Sequence, residues 1–267
     1  MERGSLGSRF IQSWDALLAL FAKAKDVFRQ WNLHINDTKT ELVHFRIADR
    51  HELMEDGRTP LRGNEEWCST KLLGSLMCSV KDIERRCTLG NIAFQSFKKV
   101  WMNSKITLHK KLRVYEAQVV SIIMYNSSCW AAPATVLEKL DICHRKHLRF
   151  IMNIWWPRGT ISNATLYKRC NTTPLSERVA LSRWKMLGHV LRSPENSPAQ
   201  SALCFALEAM NNMAGRVGRH RSNLFKMIKA DLKAQNLDLC EYNDILVLRE
   251  LASKRSVWKS MFVSSIT

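Results

Sequence analysis

The sequence predicts a mainly α protein with a small N-terminal α+β piece. From Asp82 to the C-terminus, apolar residues recur at three- and four-residue spacing, the period of one buried helix face. Period-two alternation is confined to the N-terminal part, where Leu42, His44 and Arg46 alternate with Val43, Phe45 and Ile47 as in a half-buried strand. Residues 49–66 are polar and carry Gly57, Pro60 and Gly63, which marks a loop or hairpin tip.

The first helix is expected from Ser13 to Trp31, with Trp14, Leu17, Leu18, Phe21, Ala24, Phe28 and Trp31 on its apolar face. Ser13 can cap it, and Asp15 suits its first turn. Asn36-Asp37 turns the chain into the strand at 42–47. In Trp67 to Val80 a glycine among apolar residues, Gly74, suggests a bulge or a close backbone approach. Long helices are expected over about 82–102, 108–125 and 135–154, the last with Pro133 just ahead of it. Pro157-Arg158-Gly159 breaks the chain. Helices are then expected over 163–169, 176–192, 198–210, 222–235 and 242–263. The expected organisation is residues 1–80, then a helical unit over 81–156, then a helical C-terminal region over 157–267.

With 46% hydrophobic residues, the 267-residue chain can bury a core and is not disordered by composition. Lys and Arg number 41 against 24 Asp and Glu, a formal charge of +17. Such a surplus repels itself unless an anion meets it, so nucleic acid is the expected partner, ahead of an acidic membrane surface. No apolar run approaches the ~18 residues of a membrane span, and MERGSLGSRF lacks the apolar core of a signal peptide. The expected compartment is therefore intracellular, nucleus or cytoplasm. The eight cysteines stand singly, with no Cys-x-x-Cys, and read as free thiols. Cys143 and His147 share a helix face by spacing, but two ligands make no metal site. No metal or cofactor is expected.

Several segments carry a resemblance. NLHINDTKTE at 32–41 resembles the segment that follows the catalytic-aspartate hairpin in reverse transcriptases of non-LTR (LINE-type) retrotransposons. KLLGSLMC at 71–78 is similar to their next element, the primer-grip hairpin. SKITLHKKLRVYEAQVVSIIMYNSSCW at 104–130 resembles their thumb helix, and LSRWKMLGHVLR at 181–192 a tract near their C-termini. The segments occur in the family's order. The resemblance implies a palm edge, then a helical thumb and a helical C-terminal region of an RNA-directed DNA polymerase.

The sequence departs from that pattern where the family does its chemistry. The family's Tyr/Phe-x-Asp-Asp hairpin should precede the first helix, and the chain contains no Asp-Asp pair. Polymerisation needs two divalent metals held by carboxylates. The adjacent acidic pairs, Glu55-Asp56 and Glu65-Glu66, read as solvated loop charges. Leu73 stands where the family has an aromatic, and Asn126 where it has glycine.

By the resemblance, Lys39 matches the family's lysine near the leaving pyrophosphate, while Leu73, Gly74 and Ser75 match the primer grip. The basic clusters Lys98, Lys99, Lys110, Lys111, Arg113, Arg145, Lys146 and Arg149 fall on expected helices beside apolar faces. In a thumb they would meet duplex phosphates, without sequence preference. Arg216, Arg219 and Arg221 form a second, glycine-punctuated basic stretch. The expectation is a truncated reverse-transcriptase-like protein that lacks the catalytic aspartates and retains non-specific template–primer binding. The alternatives are a fragment of a longer active polymerase and a helical protein-interaction remnant.

Overall fold

The computed structural model describes residues 14–36, 71–155, 159–211 and 223–263. The strand expected at 42–47, and Lys39, Arg216, Arg219 and Arg221, lie outside the described residues. The chain divides into two compact units, Met1–Pro60 and Leu61–Thr267.

In the first unit, α1 spans Trp14–Gln30. Asn32 ends it in the left-handed conformation (φ 58°). The Asn32 N–H then donates to the Arg29 carbonyl and the Leu33 N–H to the Phe28 carbonyl, the paired bonds of a Schellman turn. Leu18, Leu20, Val27 and Phe28 are exposed, and Trp31 is 76% exposed.

The second unit opens with a minimal hairpin, β1 (Lys71–Leu72) and β2 (Ser75–Leu76), antiparallel with Leu72 opposite Ser75. Leu73 and Gly74 form the turn, both at positive φ (48° and 83°), as a two-residue type I′ turn requires. At Gly74, where a bulge or a close backbone approach is expected, the chain makes a tight turn. Among the described residues these are the only strands, and everything that follows is helical: α2 (Ser79–Ser96), α3 (Lys98–Met102) and α4 (Leu108–Tyr115). A π turn, Glu116–Val120, leads into the short α5 (Ser121–Ile123). A 3₁₀ turn, Ser127–Cys129, precedes α6 (Ala134–Ile151), α7 (Asn163–Cys170) and α8 (Leu175–Arg192). The chain closes with α9 (Pro198–Asn211), α10 (Leu224–Lys233), α11 (Tyr242–Ser253) and α12 (Arg255–Val263). Among the described residues no helix is long and apolar enough to cross a membrane.

Two cores hold this unit. The first is built on Phe94, Trp101, Tyr115, Val119, Ile123, Leu140 and Leu148, and it runs on to Leu166, Leu175 and Val179, beyond the boundary expected at 156. Gly90 lets α2 and α5 pack closely, because a methyl there would overlap Ile123. The second core gathers Trp184, Leu187, Leu191, Leu232, Ile245 and Trp258 from α8 and α10–α12. Helix α8 contributes to both cores, its first turns to one and its later turns to the other.

Its N-terminus is fixed by Asp141 of α6, which accepts from both the backbone N–H and the hydroxyl of Ser176. Arg178 forms a two-pronged ion pair with Glu116 of the π turn, both bonds 2.9 Å. Arg183 grips Asp231 of α10 in the same bidentate way.

Candidate nucleic-acid interface

The hairpin turn is held from beneath by side chains far along the chain. The Tyr125 hydroxyl donates to the Leu73 carbonyl at 2.8 Å, and Arg85 and Arg86 donate to the Gly74 carbonyl. Arg86 also donates to the Ser75 hydroxyl at 3.2 Å and lies 4.3 Å over the Tyr125 ring. Asp82 organises the set. Its buried carboxylate accepts from the Leu76 N–H at 2.9 Å and from the Trp130 indole N–H at 3.0 Å. Arg86 lies 3.7 Å from the same carboxylate, close enough to balance its charge.

The turn backbone is therefore fixed while the Leu73 side chain stands 87% exposed. Ser75, by contrast, is buried and serves the anchor. Asn126 follows Tyr125 at φ 59°, a left-handed conformation that asparagine adopts more readily than most residues.

Lys98, Lys99, Lys110, Arg113 and Lys146 are exposed, and among the described residues none of them forms an ion pair. Lys111 differs from its neighbours. It is only 9% exposed, and its ammonium donates to the Trp101 carbonyl at 2.6 Å, tying α4 to the end of α3. It does not face an external phosphate on the outer surface. Arg145 is occupied by Glu138, and Arg149 donates to the Asn163 side chain at 2.7 Å. Of the residues expected on helices 98–149, five are thus exposed without an ion pair, two hold neighbouring side chains near the surface and one, Lys111, is engaged in the interior.

Behind these helices lies a buried polar chain that periodicity alone does not reveal. The His147 Nε2–H donates to the Asn91 carbonyl oxygen at 2.8 Å, leaving Nδ1 to accept from the Tyr115 hydroxyl at 3.2 Å. The Tyr115 oxygen in turn accepts from His144 Nδ1–H at 2.8 Å. In that tautomer His144 Nε2 is a buried acceptor without a partner. Burial holds His144 down to about 3 and His147 down to about 4, so both are neutral. The same burial raises the Tyr115 phenol well above its usual range. The Cys143 thiol also donates to Asn91, at 3.3 Å. The expected pairing of Cys143 and His147 on one face is real, and its focus is an amide.

In the 181–192 tract, Trp184 and Gly188 are packing residues, and Arg192 donates to the Ala252 carbonyl at the end of α11. The His189 side chain is exposed. Among the described residues, no group of three or more His, Cys, Asp or Glu side chains is arranged to hold a metal.

No protein-family model, no curated protein and no solved structure matches the chain.

Proposed function

We propose that the chain is the palm edge, thumb and helical C-terminal region of a reverse-transcriptase-like protein of retrotransposon origin, and that it binds nucleic acid without sequence preference. The observation that carries the binding is the stretch 98–115, which has six Lys or Arg residues and no Asp or Glu. Its exposed members Lys98, Lys99, Lys105, Lys110 and Arg113 form no ion pair among the described residues. A cationic surface of this kind binds phosphates by releasing counterions.

The family origin draws support from two segments of the resemblance that meet in space. The Leu73-Gly74-Ser75 turn is held by Tyr125 directly, and by Trp130 through Asp82. In this reading the hairpin is a rigid ledge for a primer strand.

The chain does not polymerise by itself, because it has no Asp-Asp pair with which to hold the metals. A primer-extension assay with Mg²⁺ or Mn²⁺, run beside fluorescence anisotropy on the same primed template, tests both parts. Binding without incorporation is expected. Incorporation by the purified chain contradicts the absence of catalysis, and absence of binding contradicts the function.

A second reading has its own observation. The apolar residues Leu20, Val27, Phe28 and Trp31 are exposed along α1 and its end, a face of the kind that meets another protein. Self-association that disappears in Phe28→Glu would favour that reading.

A further inference from the structure

The ends of α3 and α6 and the start of α4 enclose a cleft of about 350 Å³, lined by Trp101, Ser104, Leu108, Lys111, Phe150 and Met152, among others. That is within the size range of small-molecule sites. Its one charged wall residue is Lys111.

The Lys111 ammonium has three N–H donors, and the structure gives it one acceptor, the Trp101 carbonyl. Among the described residues no carboxylate pairs with it. A buried cation with no counter-charge is costly, and an anion entering beside it offsets part of that cost. The remaining walls combine apolar side chains with the polar Ser104 and Asn153, which suits an anion whose body is partly non-polar. The surrounding stretch 98–115 holds six basic residues and no acid, which favours a phosphate over a singly charged carboxylate.

We infer that this cleft takes a single nucleotide, with its phosphate on Lys111 and its base against Leu108, Phe150 and Met152. The inference rests on the nucleic-acid reading and extends it from backbone contact to one seated unit. The nucleotide comes either from the unpaired end of a strand or from the free pool.

The test uses the full chain labelled with ¹³C at the methionine methyls, since Met102 and Met152 both line the cleft. Adenosine monophosphate, adenosine and inorganic phosphate are titrated separately, followed by a blunt duplex and the same duplex with a one-nucleotide overhang. The comparison variant is Ser104→Trp, which places an indole at the mouth from an exposed turn residue. Unmoved Met186, Met227 and Met261 signals report that its fold is intact.

Adenosine monophosphate should shift Met102 and Met152 saturably, at least about tenfold more tightly than adenosine or phosphate alone, and Ser104→Trp should abolish the response. Shifts from the overhang duplex but not the blunt one assign the strand end as source; shifts from the mononucleotide alone assign the free pool. Silent Met102 and Met152 signals at millimolar nucleotide overturn the inference. So does an equal response to inorganic phosphate, which would make the cleft a bare anion site. Blunt-duplex anisotropy on the same samples separates the failures. If it persists while the methyls stay silent, the cleft fails and the nucleic-acid reading stands. If it is absent while the methyls respond to the mononucleotide, that reading fails.

Discussion

The indoles of Trp184 and Trp258 stack 4.2 Å apart, and each N–H donates to the other residue's backbone carbonyl. The pair is built from α8 and α12, and it exists because position 188 has no side chain. A methyl at Gly188 would overlap the Trp258 indole. Gly188→Ala should therefore force that ring out of place and destabilise the protein by about 1–3 kcal/mol, the usual cost of overpacking. A lower urea midpoint with unchanged slope is the expected result. A neutral substitution would mean that the pair tolerates displacement.

The buried histidines make stability depend on pH. His144 and His147 are held at about 3 and about 4 in the folded chain, against 6.5 for the free side chain. Between those values the unfolded chain binds more protons, so stability is full above about pH 6.5 and falls as the pH drops towards 4. At pH 5 each histidine should account for about 2 kcal/mol of loss. Urea unfolding at a series of pH values checks this, and His147→Gln should remove about half of the dependence. A flat profile from pH 7 to 5 would show that the pair is not buried.

Asp82 holds the hairpin to the helices. Asp82→Ala leaves Arg86 buried without its counter-charge and strips the Leu76 and Trp130 donors of their acceptor. A loss of about 3–5 kcal/mol is expected, larger than for Asp82→Asn, which keeps one acceptor. Hydrogen exchange should rise first at Leu76. Equal, small effects from both variants would remove Asp82 from its role as anchor.

Much of the helical plan is legible in the sequence, because three-and-four spacing reports a buried face directly. Its interruptions are not. The helix expected over 82–102 breaks at Phe97, where the Phe94 carbonyl accepts from the Phe97 N–H and the Trp101 indole. Apolar periodicity passes through that point unchanged. The helix expected over 108–125 contains a π turn, which lets the adjacent residues Val119 and Val120 both be buried. The helix expected over 242–263 breaks at Lys254, and α12 then brings Trp258 back to Trp184.

Asparagine marks several of the helix ends that apolar spacing leaves open. Asn32, Asn153, Asn171 and Asn236 each end a helix at positive φ in a Schellman turn, in place of glycine. In the basic clusters, sequence gives charge but not direction. Lys110 and Lys111 are adjacent, yet on a helix they point about 100° apart, and one faces solvent while the other faces Trp101.

The central claim is that the stretch 98–113 meets a phosphate backbone, and its most direct test is the salt dependence of duplex binding after charge reversal. The pair to reverse is Lys110→Glu with Arg113→Glu, both exposed on α4, leaving the buried Lys111 in place. The control is Lys254→Glu with Arg255→Glu, equally exposed but at the junction of α11 and α12. Anisotropy at several salt concentrations should show weaker binding for the α4 pair on every sequence. Its salt slope should flatten by about 0.9 for each phosphate that the variant no longer neutralises, while the control keeps the wild-type slope. Equal weakening by both pairs would show that the net charge of +17 acts as a whole, and that α4 carries no interface.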